Sequence, residues 1–158
     1  MSKPRQHSSG FFNSPNQHAS RSKPTNISAD HTAKELEIAA LINQGKLQEA
    51  EVICKQLIAK DTQNHISYCN LAAIFGMQGK LKRCIELLKK ALEINPNFPQ
   101  AHYNLGNALR DQGEFTAAIT TYKTALQLKP NFPDAHLNLG IALKKQGDLD
   151  AAIASYNK

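Results

Sequence analysis

Four Gln-Gly pairs stand 34 residues apart: Gln44–Gly45, Gln78–Gly79, Gln112–Gly113 and Gln146–Gly147, each followed by a charged residue and then Leu or Phe. A motif at one fixed interval is an internal repeat. It restricts the chain to architectures that stack one unit on the next. Glycine tolerates positive φ, where a side chain would clash, so this place suits a sharp turn between two short helices. Stacks of identical hairpins usually hold partners, and few of them catalyse.

The repeat holds residue by residue. Pro99–Thr124 and Pro133–Lys158 align without a gap and share 14 of 26 residues. The linker Pro-Asn-Phe-Pro recurs at Pro96–Pro99 and Pro130–Pro133. The preceding copy keeps the pattern with Tyr68, Leu71, Ala72, Phe75, Cys84, Leu88, Ala91 and Pro96. The first copy is degenerate, with Lys34, Glu37, Ile38, Leu41, Ala50, Cys54, Leu57 and Thr62 in those places. Apolar residues fall at helical spacing on both sides of each glycine, as in Leu105, Ala108, Leu109 and then Ala118, Ile119, Tyr122, Ala125, Leu126. Small residues (Ala72, Gly106, Gly140, Ala118, Ala152) let helix axes approach closely. Asn95–Pro96 and Lys129–Pro130 end the second helices, because the residue before proline avoids the α region.

These residues resemble the tetratricopeptide family, whose signature has the same spacing. The third copy supplies His102-x2-Leu105-Gly106-x2-Leu109, then Ala118-x3-Tyr122, Ala125 and Pro130; the fourth supplies His136-x2-Leu139-Gly140-x2-Leu143, then Ala152-x3-Tyr156. The match covers roughly 125 of the 158 residues. His stands where the family often has Trp, and Thr62 replaces the usual closing Pro, which marks the first repeat as a cap-like unit. The resemblance implies an all-α fold, a right-handed superhelical solenoid of antiparallel helix pairs. The repeats would occupy 31–64 (degenerate), 65–98, 99–132 and 133–158 (incomplete), behind a disordered basic arm over 1–30.

Charge supports the division. The net charge is +6, of which Lys3, Arg5, Arg21 and Lys23 supply four in residues 1–29, beside seven serines, three prolines and no acidic residue. Such a stretch cannot bury enough surface to fold. It reads as a solvating tail, with an electrostatic tether or a transit peptide left as alternatives. No run of apolar residues is long enough to span a membrane, and Phe11-Phe12 is too short for a signal-peptide core. Cys54, Cys69 and Cys84 form no CxxC pair and no zinc spacing, which fits small apolar residues in a reducing cytoplasm. His102 and His136 repeat, but equivalent places in consecutive repeats lie too far apart to share one zinc. No cofactor and no metal is expected. Catalytic signatures (GxSxG, HExxH, a P-loop, GxGxxG) are absent from the sequence, so an enzyme is not expected. The basic run Lys80, Lys82, Arg83, Lys89 and Lys90 lacks interleaved aromatics, so nucleic acid and membrane are not expected partners.

The resemblance places the first helix of each pair along a concave groove. Asn70, Asn104 and Asn138 recur there at 34-residue spacing, each before the core Leu. Exposed carboxamides both donate and accept, so they would grip a peptide backbone without reading its side chains. This is similar to the asparagine ladder of protein O-linked N-acetylglucosamine transferases. The plain alternative is that Asn serves solubility or local packing. If the ladder holds, replacing Asn104 and Asn138 by Ala weakens binding and leaves melting nearly unchanged. The groove would also include Tyr103, Asn107 and Arg110, with Lys144 and Lys145 at a basic end that favours an acidic peptide. The fourth hairpin, about one turn short of the third, would leave an uncovered apolar end at Ile141, Ala142, Ile153 and Tyr156, a place for self-association. The functional expectation is a non-enzymatic protein–protein interaction scaffold that binds peptide segments. The alternative is the substrate-recognition front of a larger glycosyl-, sulfo- or methyltransferase.

Overall fold

The computed structural model of the protein describes residues 26–158. Among these, eight helices follow one another: α1 (Asn26–Asn43), α2 (Leu47–Lys60), α3 (His65–Met77), α4 (Leu81–Ile94), α5 (Pro99–Asp111), α6 (Phe115–Leu128), α7 (Pro133–Gln146) and α8 (Leu149–Tyr156). No strand occurs among the described residues. The basic arm expected over 1–30 lies outside the described residues except for its last five positions, which are helical and open α1. Nothing in Asn26–Asp30 breaks a helix, and Pro24 is the nearest proline before it.

Each turn within a hairpin is built on its glycine. Gly45, Gly79, Gly113 and Gly147 have φ of +73°, +73°, +85° and +96°. No atom would meet a Cβ there, so the requirement is the backbone angle and not space. The Lys46 N–H donates to the Leu41 carbonyl at 2.9 Å and the Lys80 N–H to the Phe75 carbonyl at 2.8 Å, the long bond of a Schellman turn. Between hairpins the signals differ. Pro99 and Pro133 open α5 and α7, where a missing N–H costs nothing. Asn64 caps α3 by accepting from the Ser67 N–H at 2.9 Å. Asn95 is extended before Pro96. His102 Nε2 lies 2.8 Å from the Pro96 carbonyl, and His136 Nε2 lies 2.9 Å from that of Pro130. A carbonyl only accepts, so each ring donates and ties the linker to the following helix. That is why His recurs where a purely apolar residue would also pack.

Small residues set how closely the helices approach. Ala72, Ala101, Ala118, Ala125, Ala135 and Ala142 are fully buried at the crossings. Cys54, Ile74, Cys84 and Leu88 fill the front half of the core; Tyr103, Tyr122 and Phe132 fill the rear. Cys69 is buried as well, although the repeat pattern picks out only Cys54 and Cys84. Burial pushes each of the three thiols up to about 12, so they are protonated and inert. Lys90 pairs with Glu93 at 2.9 Å, a surface contact that contributes little.

The stack is a right-handed superhelix, and its curvature follows from which helices meet. Consecutive first helices touch (α1 with α3, α3 with α5, α5 with α7), whereas no two second helices do. The first helices therefore line the inner wall and the second helices splay outward.

His65, the first residue of α3, ties the start of the second repeat to its end. Its Nε2 lies 3.1 Å from Asn95 Nδ2, and its ring meets Phe98 edge-on with centroids 5.0 Å apart. Burial lowers its pKa below the ordinary 6.5, and only the neutral ring can accept from the amide. As the pH falls, the unfolded chain takes this proton first. The stabilisation is complete above the unfolded pKa and is lost on acidification. Urea unfolding is expected to be less stable at about pH 5.5 than at about pH 7.5, with a smaller difference in His65→Gln.

Candidate functional site

A residue immediately before the core Leu of a first helix points about 100° away from it. Because first helices of consecutive repeats touch, that direction is taken by the neighbouring repeat as much as by the groove. The asparagines accordingly are not exposed. Asn70 is half-buried, while Asn104 and Asn138 retain 3% and 7% exposure. Asn104 Nδ2 donates toward Cys69 Sγ at 3.5 Å and its Oδ1 accepts from Gln100 Nε2 at 3.1 Å. Asn138 Nδ2 donates to Tyr103 Oη at 3.0 Å and to Asn107 Oδ1 at 3.1 Å. The sequence offset is 35 residues for Asn104–Cys69 and again for Asn138–Tyr103, so one register recurs across two repeat boundaries.

Tyr103 and Asn107 are likewise buried, at 2% and 0% exposure, and not on a groove floor. Tyr122 of α6 donates to Asn107 Oδ1 at 2.7 Å. Arg110 completes the set: one guanidinium nitrogen donates to Asn138 Oδ1 at 3.0 Å, and two reach Asp111 Oδ1 at 3.0 and 2.8 Å. Burial raises the Tyr103 pKa, so the phenol stays neutral and can both donate and accept. Burial opposes the Arg110 charge, but the Tyr122 oxygen and the Asp111 carboxylate more than offset it and hold its pKa above the ordinary value. Tyr103, Asn107, Arg110, Tyr122 and Asn138 thus form one connected network between the third and fourth repeats. The double substitution of Asn104 and Asn138 should lower melting, contrary to the expectation for exposed carboxamides, because each leaves a buried partner unsatisfied.

The accessible inner wall is smaller than the eight expected positions. Asn70 and Arg110 are half-buried, and Lys144 and Lys145 at the end of α7 are exposed. Leu137, one repeat after Tyr103, is exposed. The network escaped sequence reasoning because its members are spread over three helices. The recurring 35-residue offset is the signal that could have found it.

Among the described residues no cluster of His, Cys, Asp or Glu could hold a metal ion. No helix among them is long and apolar enough to cross a membrane.

The sequence model of the TPR repeat family matches residues 77–109 and 106–147. No curated protein sequence matches significantly. Solved structures do. A mutant O-GlcNAc transferase of Thermobaculum terrenum superposes with a TM-score of 0.71 at 27% identity over 77% of this chain, which spans 23% of that protein. A crystal structure of MamA superposes with a TM-score of 0.71 at 19% identity, covering 86% of this chain and 93% of MamA. A further MamA structure gives a TM-score of 0.70 at 23% identity over 82% of this chain and 74% of its own. The two MamA likenesses are of fold alone. Taken with the 34-residue period and the touching first helices, these matches show tetratricopeptide repeats over residues 77–147 and a tetratricopeptide fold, with repeats that resemble those of O-GlcNAc transferase.

Proposed function

We propose that the chain is a non-enzymatic protein–protein interaction scaffold that holds peptide segments against its inner wall. The observation that supports this is which like helices meet: consecutive first helices touch one another and consecutive second helices do not, as expected on the inside of a curve. Arg110, Lys144 and Lys145 make its far end basic and suit an acidic or carboxylate-bearing peptide. Asn70 contacts the peptide directly. Asn138, backed by Tyr103 and Asn107, acts from beneath to hold Arg110 in place, and Asn104 ties the second and third repeats; a rigid wall lowers the ordering cost of binding. Affinity is on the order of micromolar, as expected for a small wall holding a flexible segment.

Fluorescence anisotropy with labelled acidic peptides tests the reading. Lys144→Glu with Lys145→Glu should weaken acidic peptides by roughly tenfold, with a salt dependence lost in the variant. Equal binding of acidic and basic peptides by both proteins would overturn the preference.

The likeness to a transferase of which this chain spans 23% supports a second reading, the substrate-recognition part of a larger glycosyl-, sulfo- or methyltransferase. Sequencing the transcript across the Lys158 codon separates the two. A frame running on into a catalytic domain favours the transferase, and a stop codon favours the scaffold.

A further inference from the structure

The polar tie between the third and fourth repeats has a counterpart between the first and second that is left open. Asn138 is held by residues 35, 31 and 28 places earlier: Tyr103, Asn107 and Arg110. The same offsets from Asn70 reach Glu35, Ala39 and Ile42. Ala39 and Ile42 carry no side-chain donor or acceptor, so only Glu35 could answer the Asn70 carboxamide. It does not: among the described residues no hydrogen bond joins the two. No ion pair among those residues reaches Glu35 either, and Lys34 beside it pairs with Glu37 at 2.8 Å. Both side chains are half-buried, where α1 meets α3 inside the stack and away from its two end faces. Burial raises the Glu35 pKa, and His31 one turn earlier only partly offsets it. A carboxylate is thus kept partly out of water with no partner to compensate.

A carboxylate and a carboxamide at neighbouring places, each short of a partner, offer three oxygens to one kind of group: a cation with several N–H donors. An ammonium has three such donors and a guanidinium five. We infer that Glu35 and Asn70 receive a lysine or arginine side chain of the bound peptide, at the opposite end of the inner wall from Arg110, Lys144 and Lys145. That occupant presupposes the peptide-binding role proposed above and narrows the partner to a segment acidic at one end and basic at the other. Charge fixes which end of the segment meets which end of the wall, since the reverse would set like against like at both. The repeat geometry sets the span. Glu35 has the place of Tyr103 two repeats earlier, and Arg110 stands seven residues beyond Tyr103 on α5. Two steps of about 8–10 Å between touching first helices, and about 10 Å along the helix, separate the two charges by about 20 Å. Extended peptide at about 3.3 Å per residue covers this in about six residues.

Fluorescence anisotropy with labelled peptides tests this. The first carries an acidic run with a Lys about six residues away. The second has Gln for that Lys, and the third has the Lys moved beside the acidic run; each is made in both chain directions. In the better-bound direction the native chain should hold the first peptide roughly fivefold more tightly than the second, and the third no more tightly than the second. Glu35→Gln should remove the difference between the first two. Glu35→Lys should reverse it, favouring a peptide with Glu in place of the distant Lys. Because the carboxylate has no partner in the free chain, Glu35→Gln should not lower the melting temperature, which circular dichroism measures. If Glu35→Lys loses helical signal, the comparison with Glu35→Gln decides. Equal binding of the first two peptides by the native chain, a preference that survives in Glu35→Gln, or a lowered melting temperature would each overturn the inference and leave the scaffold reading standing. No binding of any peptide would overturn both.

Discussion

Asn107→Ala should lower the unfolding free energy by about 3–5 kcal/mol, the largest loss among polar substitutions in the described chain. Its Oδ1 accepts from Tyr122 Oη at 2.7 Å and from Asn138 Nδ2 at 3.1 Å, and all three side chains are buried. Removing the shared acceptor strands two donors, each at about 1–3 kcal/mol, and leaves a small cavity besides. Tyr122→Phe, by contrast, leaves Asn107 Oδ1 bonded to Asn138 and should cost only about 1 kcal/mol. The double variant should fall short of the sum of the singles, because a ring without its hydroxyl no longer needs the acceptor. Urea unfolding followed by circular dichroism measures all three. A loss under about 1 kcal/mol for Asn107→Ala would mean that the network holds nothing together.

Gly106→Ala and Gly140→Ala change the same repeat position and should have opposite consequences. A Cβ on Gly106 would stand 2.5 Å from Tyr122 Cε1 and 2.7 Å from its Cδ1. Tyr122 is wholly buried and tied through its hydroxyl, so the ring cannot retreat without breaking the bond to Asn107. Overpacking at about 1–3 kcal/mol and the strained hydrogen bond outweigh the ~1 kcal/mol that Ala gains over Gly in a helix. The net loss should be about 1–4 kcal/mol. At Gly140 the Cβ would meet Tyr156 Cε1 even more closely. Tyr156, however, is 43% exposed near the end of α8 and can swing outward. There the helix gain should offset the clash to within about 1 kcal/mol. Thermal melts decide this: equal losses at both positions would mean that Tyr156 is held as firmly as Tyr122.

Most of the fold was legible because its signals are local. The glycine at positive φ, the proline at the first helical position and the helical spacing of Leu105, Leu109, Ala118 and Tyr122 each act within a few residues, and the 34-residue period repeats them. The candidate site was less legible. Lys144 and Lys145 are exposed as their charge requires, but Asn104, Asn138, Tyr103 and Asn107 turned inward. An amide hydrogen-bonds equally well to water, to a peptide or to a tyrosine hydroxyl, so its identity does not say which it meets.

Period, turn chemistry and apolar spacing determined by themselves that paired helices would form and stack, since each is read by a residue's near neighbours along the chain. Only the tertiary arrangement decided where the asparagines point. The closeness of consecutive first helices turned a row of expected groove contacts into ties between repeats, and that distance depends on residues 34 or more positions apart.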